Sequence, residues 1–345
     1  MPQYFKITNE KETHHDFVYK DGLNVLQDPF NDDPNVPCGK GGLYFTILES
    51  VHKFYDLGIY LRKVSLPTDD PDFKMVRDPK NDKYRANKII LGERYSLFDP
   101  ETYERFNLDI NKNKDLVDYA CQHGKIEFLE WWKNSKTLLQ YACDSMDLAS
   151  KHGHVHILAW WLNSGLKLEY SSDAIDKASK HGHLHILDWW LDSGLKLKYT
   201  VHAMNDASNR GNINSLNWWL KSGLKLEYSS DAIDNACLKG HTHILDWWRT
   251  SPLGVNYTKK IFKNIIGKDH INALIWLKNN GIKLKYDEKL MNTASCAGDT
   301  DILDLWLTSG LPLKYTYNAL SNVQKGHRNK VFNWWKNSGL QFPEN

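Results

Sequence analysis

"DAIDKASKHGHLHILDWWLDSG", residues 173–194, decides the fold. Ala174, Ile175 and Ala178 fall at helical spacing, and Leu184, Ile186, Leu187, Trp190 and Leu191 do so again beyond Gly182. The glycine separates one helix from the next, and Gly194 stands where a left-handed residue closes a helix. Asp173 occupies the place of an N-cap. The stretch reads as two short helices joined by a turn.

That phrase returns with a period of 29 residues. Trp131, Trp160, Trp189, Trp218, Trp247, Trp276 and Trp334 share one phase, with Leu305 in the missing slot. Trp132, Trp161, Trp190, Trp219, Trp248, Trp306 and Trp335 share the next, with Leu277 in theirs. Tyr141, Tyr170, Tyr199, Tyr228, Tyr257, Tyr286 and Tyr315 form a third ladder, and "SGLKLEYSSDAID" occurs verbatim at 164–176 and 222–234. One such helix pair cannot bury both its faces, so eight units over residues 115–342 are expected to stack and share a core. A buried tryptophan removes about 150–250 Å² from water, worth roughly 4–6 kcal/mol as an upper bound. The second-phase series, from Trp132 to Trp335, is therefore assigned to the structural core of the repeats. Its neighbour in each pair cannot share the same helix face and is expected to lie nearer the surface.

The unit is similar to the ankyrin motif T-P-L-H-x-A-A-x-x-G-H-x-x-V-V-x-L-L-L-x-x-G. Gly182-His183, the small pair Ala178-Ser179, and Ile186-Leu187 all fall in place. The period is shorter than the ankyrin value of about 33, so the resemblance implies a shortened hairpin between units, and Trp-Trp replaces the usual Leu-Leu. The expected architecture is an α-solenoid of ankyrin-like helix pairs, a fold that binds proteins.

Two recurring residue sets compete for a functional role. His152, His154 and His156 recur as His181, His183 and His185, then as His241 and His243, with Asn212 and Asn214 in between. Helical residues two apart diverge, and equivalent positions in stacked units lie about 8–10 Å apart, too far to share an ion. No metal is expected; a cap or turn hydrogen bond is. On the first helix one position varies from unit to unit: Asp147, Asp176, Asn205, Asp234, Lys263 and Asn292. These residues are read as a variable outer surface for partner binding.

The first 110 residues differ in make-up. They hold none of the fourteen tryptophans and eight of the eleven prolines, and carry 15 Lys and Arg against 19 Asp and Glu. Candidate strands are Tyr4–Thr8, Phe17–Tyr19, Gly42–Thr46 and Ile59–Leu66, with more in "KYRANKIILGERYSLF". A short helix is expected near Glu49–Leu57, and another opening at Pro100 with Asp99 as cap. Residues 1–110 therefore form a small α+β domain of unknown role. Its phrases "YFKITNE", "GGLYFT", "RANKIILG" and "YSLFDPETY" resemble the amino-terminal domain of ankyrin repeat proteins encoded by giant viruses of amoebae. That resemblance implies a protein partner from an amoebal host and a place in the host cytoplasm or the virion. It carries no reaction and no cofactor.

One enzymatic alternative rests on "CGKGGLYFT", which resembles a strand of poly-ADP-ribose-type transferases. By that pattern His15 or His14 would hold a ribose, Tyr44 would stack on nicotinamide, and Glu93 would polarise a hydroxyl. The sequence context around His14-His15 does not follow the pattern.

Whole-chain properties narrow the classes further. A formal charge of +2 over 345 residues gives no general pull toward nucleic acid or anionic membrane. Five cysteines without C-x-x-C pairing fit reduced thiols, and no apolar run suggests secretion or a membrane span.

Overall fold

The computed structural model describes residues 3–14, 16–36, 41–78, 82–135, 141, 143–258, 261, 268–282 and 287–341. It divides into two compact units, residues 1–145 with 159–168, and residues 146–158 with 169–345.

In the first unit, alternating apolar residues build a seven-stranded antiparallel sheet. Its strands are β1 (Tyr4–Thr8), β4 (Gly22–Val25), β5 (Leu43–Ile47), β6 (Tyr60–Ser65), β7 (Met75–Arg77), β8 (Lys83–Ala86) and β9 (Lys88–Ser96), in the order β4-β9-β6-β1-β5-β8-β7. A separate two-stranded pair joins β2 (Thr13–His14) to β3 (Phe17–Val18). Tyr19, Leu43, Phe45, Val64, Ala86, Ile89 and Leu91 pack into one apolar cluster. The helix expected near Glu49–Leu57 is a 3₁₀ segment, Leu48–Leu57. The cap at Asp99 is as read: its carboxylate accepts from the Glu101 N–H at 3.0 Å, and Pro100 opens α1 (Pro100–Arg105). Strand β4 escapes the sequence reading because Gly22 opens it and Leu23 and Val25 face outward, which leaves no apolar-in pattern to see. The same unit contains the start of the repeats, α2 (Leu116–Gln122) and α3 (Ile126–Asn134), and α4 (Asp144–Lys151) and α5 (Val155–Asn163) follow in the chain.

In the second unit the helix pairs follow one another. Helices α6 (Asp173–His181) and α7 (Leu184–Asp192) form one pair, α8 (His202–Arg210) and α9 (Ile213–Lys221) the next, then α10 (Asp231–Leu238) and α11 (Thr242–Thr250). Later come α12 (Lys268–Asn279), α13 (Lys289–Ala297), α14 (Thr300–Thr308), α15 (Asn318–Ser321) and α16 (Arg328–Asn337). Gly182 adopts φ +75°, a left-handed turn that lets its N–H reach the Ser179 carbonyl while the His183 N–H reaches that of Ala178. Asp173 is not the cap the sequence suggested. It lies inside the helix, and its own N–H is received by the Ser171 hydroxyl at 3.0 Å. The fold is an array of ankyrin-like helix pairs with a period of 29, preceded by a strand-rich α+β region.

Candidate functional site

Among the described residues, recurring positions in the tryptophan, histidine and first-helix series bond to neighbouring repeats. Trp132, Trp161, Trp190, Trp219, Trp248, Trp306 and Trp335 are buried, none more than 6% exposed. In four of them the indole N–H reaches back 40 residues to a serine hydroxyl: Trp190 to Ser150 at 3.0 Å, Trp219 to Ser179 at 2.8 Å, Trp248 to Ser208 at 3.1 Å, and Trp335 to Ser295 at 2.9 Å. Trp161 finds Cys121 at 3.3 Å in the same role. A buried indole needs such an acceptor. The tyrosine ladder seals the rings, with Tyr170 and Tyr199 centred 4.7 and 4.9 Å from Trp190 and Trp219.

First-phase tryptophans lie nearer the surface and bond 30 residues back. Trp218 donates to Asp188 at 2.6 Å, Trp247 to Asn217 at 2.7 Å, and Trp334 to Asp304 at 2.6 Å. Adjacent rings sit edge to face, 5.1 Å apart in Trp218-Trp219. The aromatic series is committed to packing.

The histidines are likewise committed. His183 Nε2 lies 3.0 Å from the Lys151 carbonyl and His185 Nε2 lies 2.9 Å from that of Gly153. His241 and His243 repeat the pair on Asn209 and Gly211, each at 3.1 Å. These nitrogens must donate, since a carbonyl only accepts, and they close helix ends that would otherwise lack partners. Asn212 explains the gap in the histidine pattern, because its amide donates to the Lys180 carbonyl and does the same work. Burial pushes the His183 imidazole below its ordinary range.

The first-helix positions correct the sequence reading. Asp147, Asp176, Asn205, Asp234 and Asn292 are buried, between 1% and 8% exposed, and so are not available to a partner; Lys263 lies outside the described residues. Each holds the loop 24 residues on. Asp176 accepts from the Thr200 N–H at 3.0 Å and from its hydroxyl at 2.6 Å. Asn205 does so for Ser229, Oδ1 accepting the N–H at 3.1 Å and Nδ2 donating to the hydroxyl at 2.8 Å. Asn292 clamps Thr316 in the same way, and Asp147 and Asp234 clamp Ser171 and Thr258. The variation from Asp to Asn keeps one acceptor in place; it mimics a surface without being one.

Outside the repeats, the first unit contains a cavity of about 330 Å³ between β1, β5 and the 3₁₀ segment. Beside it β1 and β5 pair at Tyr4 with Ile47 and at Phe5 with Thr46. Where the ladder ends, Lys6 Nζ donates to the Tyr44 carbonyl at 2.9 Å and lies 4.3 Å above the Tyr19 ring. Lys6 is 5% exposed. Burial lowers its ammonium from an ordinary 10.5 to about 7, although the Glu12 carboxylate pulls the other way. Between those values the unfolded chain carries a proton that the folded chain does not, so Lys6 makes folding more favourable as pH rises from about 7. Urea midpoints should therefore climb from pH 7 to 8.5, and Lys6→Met should flatten that climb. The window stops there because burial also pushes Cys121 and Cys237 up to about 12, which acts in the opposite sense above pH 9.

Tyr44 and His14 line this cavity. His15 lies outside the described residues. Glu93 does not line the cavity: it sits on β9, three places from β5 in the sheet, hydrogen-bonded to Tyr95 and 3.9 Å from Arg105. The transferase constellation gains no support.

No protein-family model matches the chain. It is 45% identical over 130 residues to an ankyrin repeat protein of Acanthamoeba polyphaga mimivirus, a match covering 37% of this chain and 64% of that one. An uncharacterized protein of the same virus is 49% identical over 130 residues, 36% of this chain and 94% of its own length. A second ankyrin repeat protein of that virus is 41% identical over 131 residues, 37% of this chain and 39% of its own. The chain thus matches less than two thirds of either ankyrin relative. The ankyrin repeat domain of human ASB11 superposes with a TM-score of 0.31 at 14% identity, over 63% of this chain and 96% of that one. So loose a superposition adds nothing to the helix pairs themselves.

The protein is one of the helix-pair repeat class, its recurring residues consumed in repeat-to-repeat bonds. Over about 130 residues the chain is similar to ankyrin repeat proteins of a giant virus, and it is similar to nearly the whole length of an uncharacterized protein of that virus. No helix among the described residues is long and apolar enough to cross a membrane.

Proposed function

We propose that the chain is a non-catalytic protein-interaction scaffold whose repeats, residues 115–342, bind a protein of the amoebal host, with residues 1–110 as a separate α+β domain. One observation carries this reading. The recurrent Trp, Tyr, Ser and Asp/Asn positions are spent on inter-repeat bonds, while exposed positions on the same first helices change in charge. Asp173, His202 and Lys289 occupy one such position, and His181, Arg210 and Lys239 occupy another near the helix end. A constant interior beneath a changing exterior is what an extended binding surface requires.

The test compares the full chain with an Arg210→Glu, Lys239→Glu variant in affinity capture from amoebal lysate. A discrete protein kept by the parent chain and lost by the variant, with melting unchanged, is expected. Retention indifferent to both changes, or no protein retained at all, would sink the reading.

A further inference from the structure

The cavity in the first unit has a composition that its packing role does not require. Its walls bring Phe5, Phe45 and Phe54 together with Ile7 and Leu57. Lys6, Lys53 and Lys83 line the same space, against one carboxylate, Asp56. Two of the lysines have acidic partners: Lys53 lies 2.5 Å from Asp82, and Lys83 lies 3.8 Å from Asp78. Lys6 is different. Its ammonium is buried, its hydrogen bond runs to the main-chain carbonyl of Tyr44, and the Glu12 carboxylate, bonded through one oxygen to Arg62 at 2.7 Å, acts on it through space. A neutral amide would satisfy that carbonyl at much smaller desolvation cost, because an ammonium is expensive to bury even with a carboxylate nearby. An ammonium also has three donors, of which the Tyr44 carbonyl takes one. Lys6 therefore stands as a basic group at the wall of an aromatic space, with capacity for a further acceptor.

We propose that this cavity is a binding site for a small aromatic carboxylate, its acid group on Lys6 and its ring among Phe45, Phe54 and Leu57. The volume suits one or two fused rings, since it lies at the small end of ligand pockets, about 300–1,000 Å³. An apolar lining with a few convergent polar groups is the usual make-up of such a site. A charge-assisted bond from the buried amine gives the site its preference for an acid over a neutral ring.

The probes are 1-naphthoate and its neutral counterpart 1-naphthalenemethanol, titrated into the full chain by calorimetry at pH 6, where the Lys6 amine carries its proton. The carboxylate is expected to bind about tenfold or more tightly than the alcohol, the worth of one charged hydrogen bond. Lys6→Met should erase that difference and leave weak binding of both. Phe54→Trp, which narrows the cavity without touching Lys6, should weaken both probes. Should Lys6→Met fail to fold, the ranking of the two probes on the parent chain and their response to Phe54→Trp still decide the matter. Equal affinity for acid and alcohol, binding indifferent to Phe54→Trp, or no binding of either probe would each overturn the proposal.

Discussion

Trp219→Ala is expected to lower the unfolding free energy by about 3–5 kcal/mol, the range for large aromatic truncations in a core. The ring is 1% exposed, so its whole apolar area returns to water or leaves a void. Two further losses follow. The Ser179 hydroxyl loses the indole N–H at 2.8 Å, and the Tyr199 ring loses the surface against which it packs 4.9 Å away. Since each repeat contacts its neighbours alone, the damage should be local, loosening the pairs on either side before the rest. Hydrogen exchange should show the fastest new opening at α8 and α9. Trp218→Ala is the internal control. That residue is half-buried and its indole bonds Asp188, so its removal should cost no more than about 1–2 kcal/mol. Comparable losses from both variants, by urea titration, would contradict the assignment of the second tryptophan to the core.

The two tryptophan phases show what a repeat makes legible. Periodicity averages over units, so helix pairs, glycine stops and aromatic ladders emerge even where single units deviate. Burial of a polar residue does not emerge, because Asp and Asn occur both on surfaces and at buried clamps. Pattern alone therefore places the first-helix series on the exterior. The missing signal was present one step away: Ser171, Thr200, Ser229, Thr258 and Thr316 stand 24 residues beyond Asp147, Asp176, Asn205, Asp234 and Asn292. A hydroxyl at constant offset from a carboxylate or amide marks a bonded pair. In residues 1–110 no repeat averages out the noise, and the pairing of β1 with β5 beside the cavity depends on strand register, which pattern alone does not supply.

Asp176 offers the second large effect and a sharper test of that correction. Asp176→Ala should destabilise the chain by about 2–3 kcal/mol, because the Thr200 N–H and hydroxyl lose their acceptor in a half-buried loop. Asp176→Asn should be nearly neutral, since Asn205 and Asn292 already hold their loops with one accepted and one donated bond. The electrostatics point the same way. Burial raises the Asp176 carboxyl above its ordinary value, more than the two Thr200 bonds lower it. A carboxyl whose folded value is raised favours folding when protonated, and that contribution fades as pH climbs through the folded value. At neutral pH the charge is therefore a cost, and the asparagine variant escapes it. Its stability should change less between pH 4 and 7 than that of the parent chain. A surface residue, by contrast, would leave stability within about 0.5 kcal/mol whichever substitution was made. Denaturant midpoints of the two variants at pH 4 and 7 distinguish a clamp from an exterior residue, and an asparagine variant as unstable as the alanine one would show that the negative charge itself holds the loop.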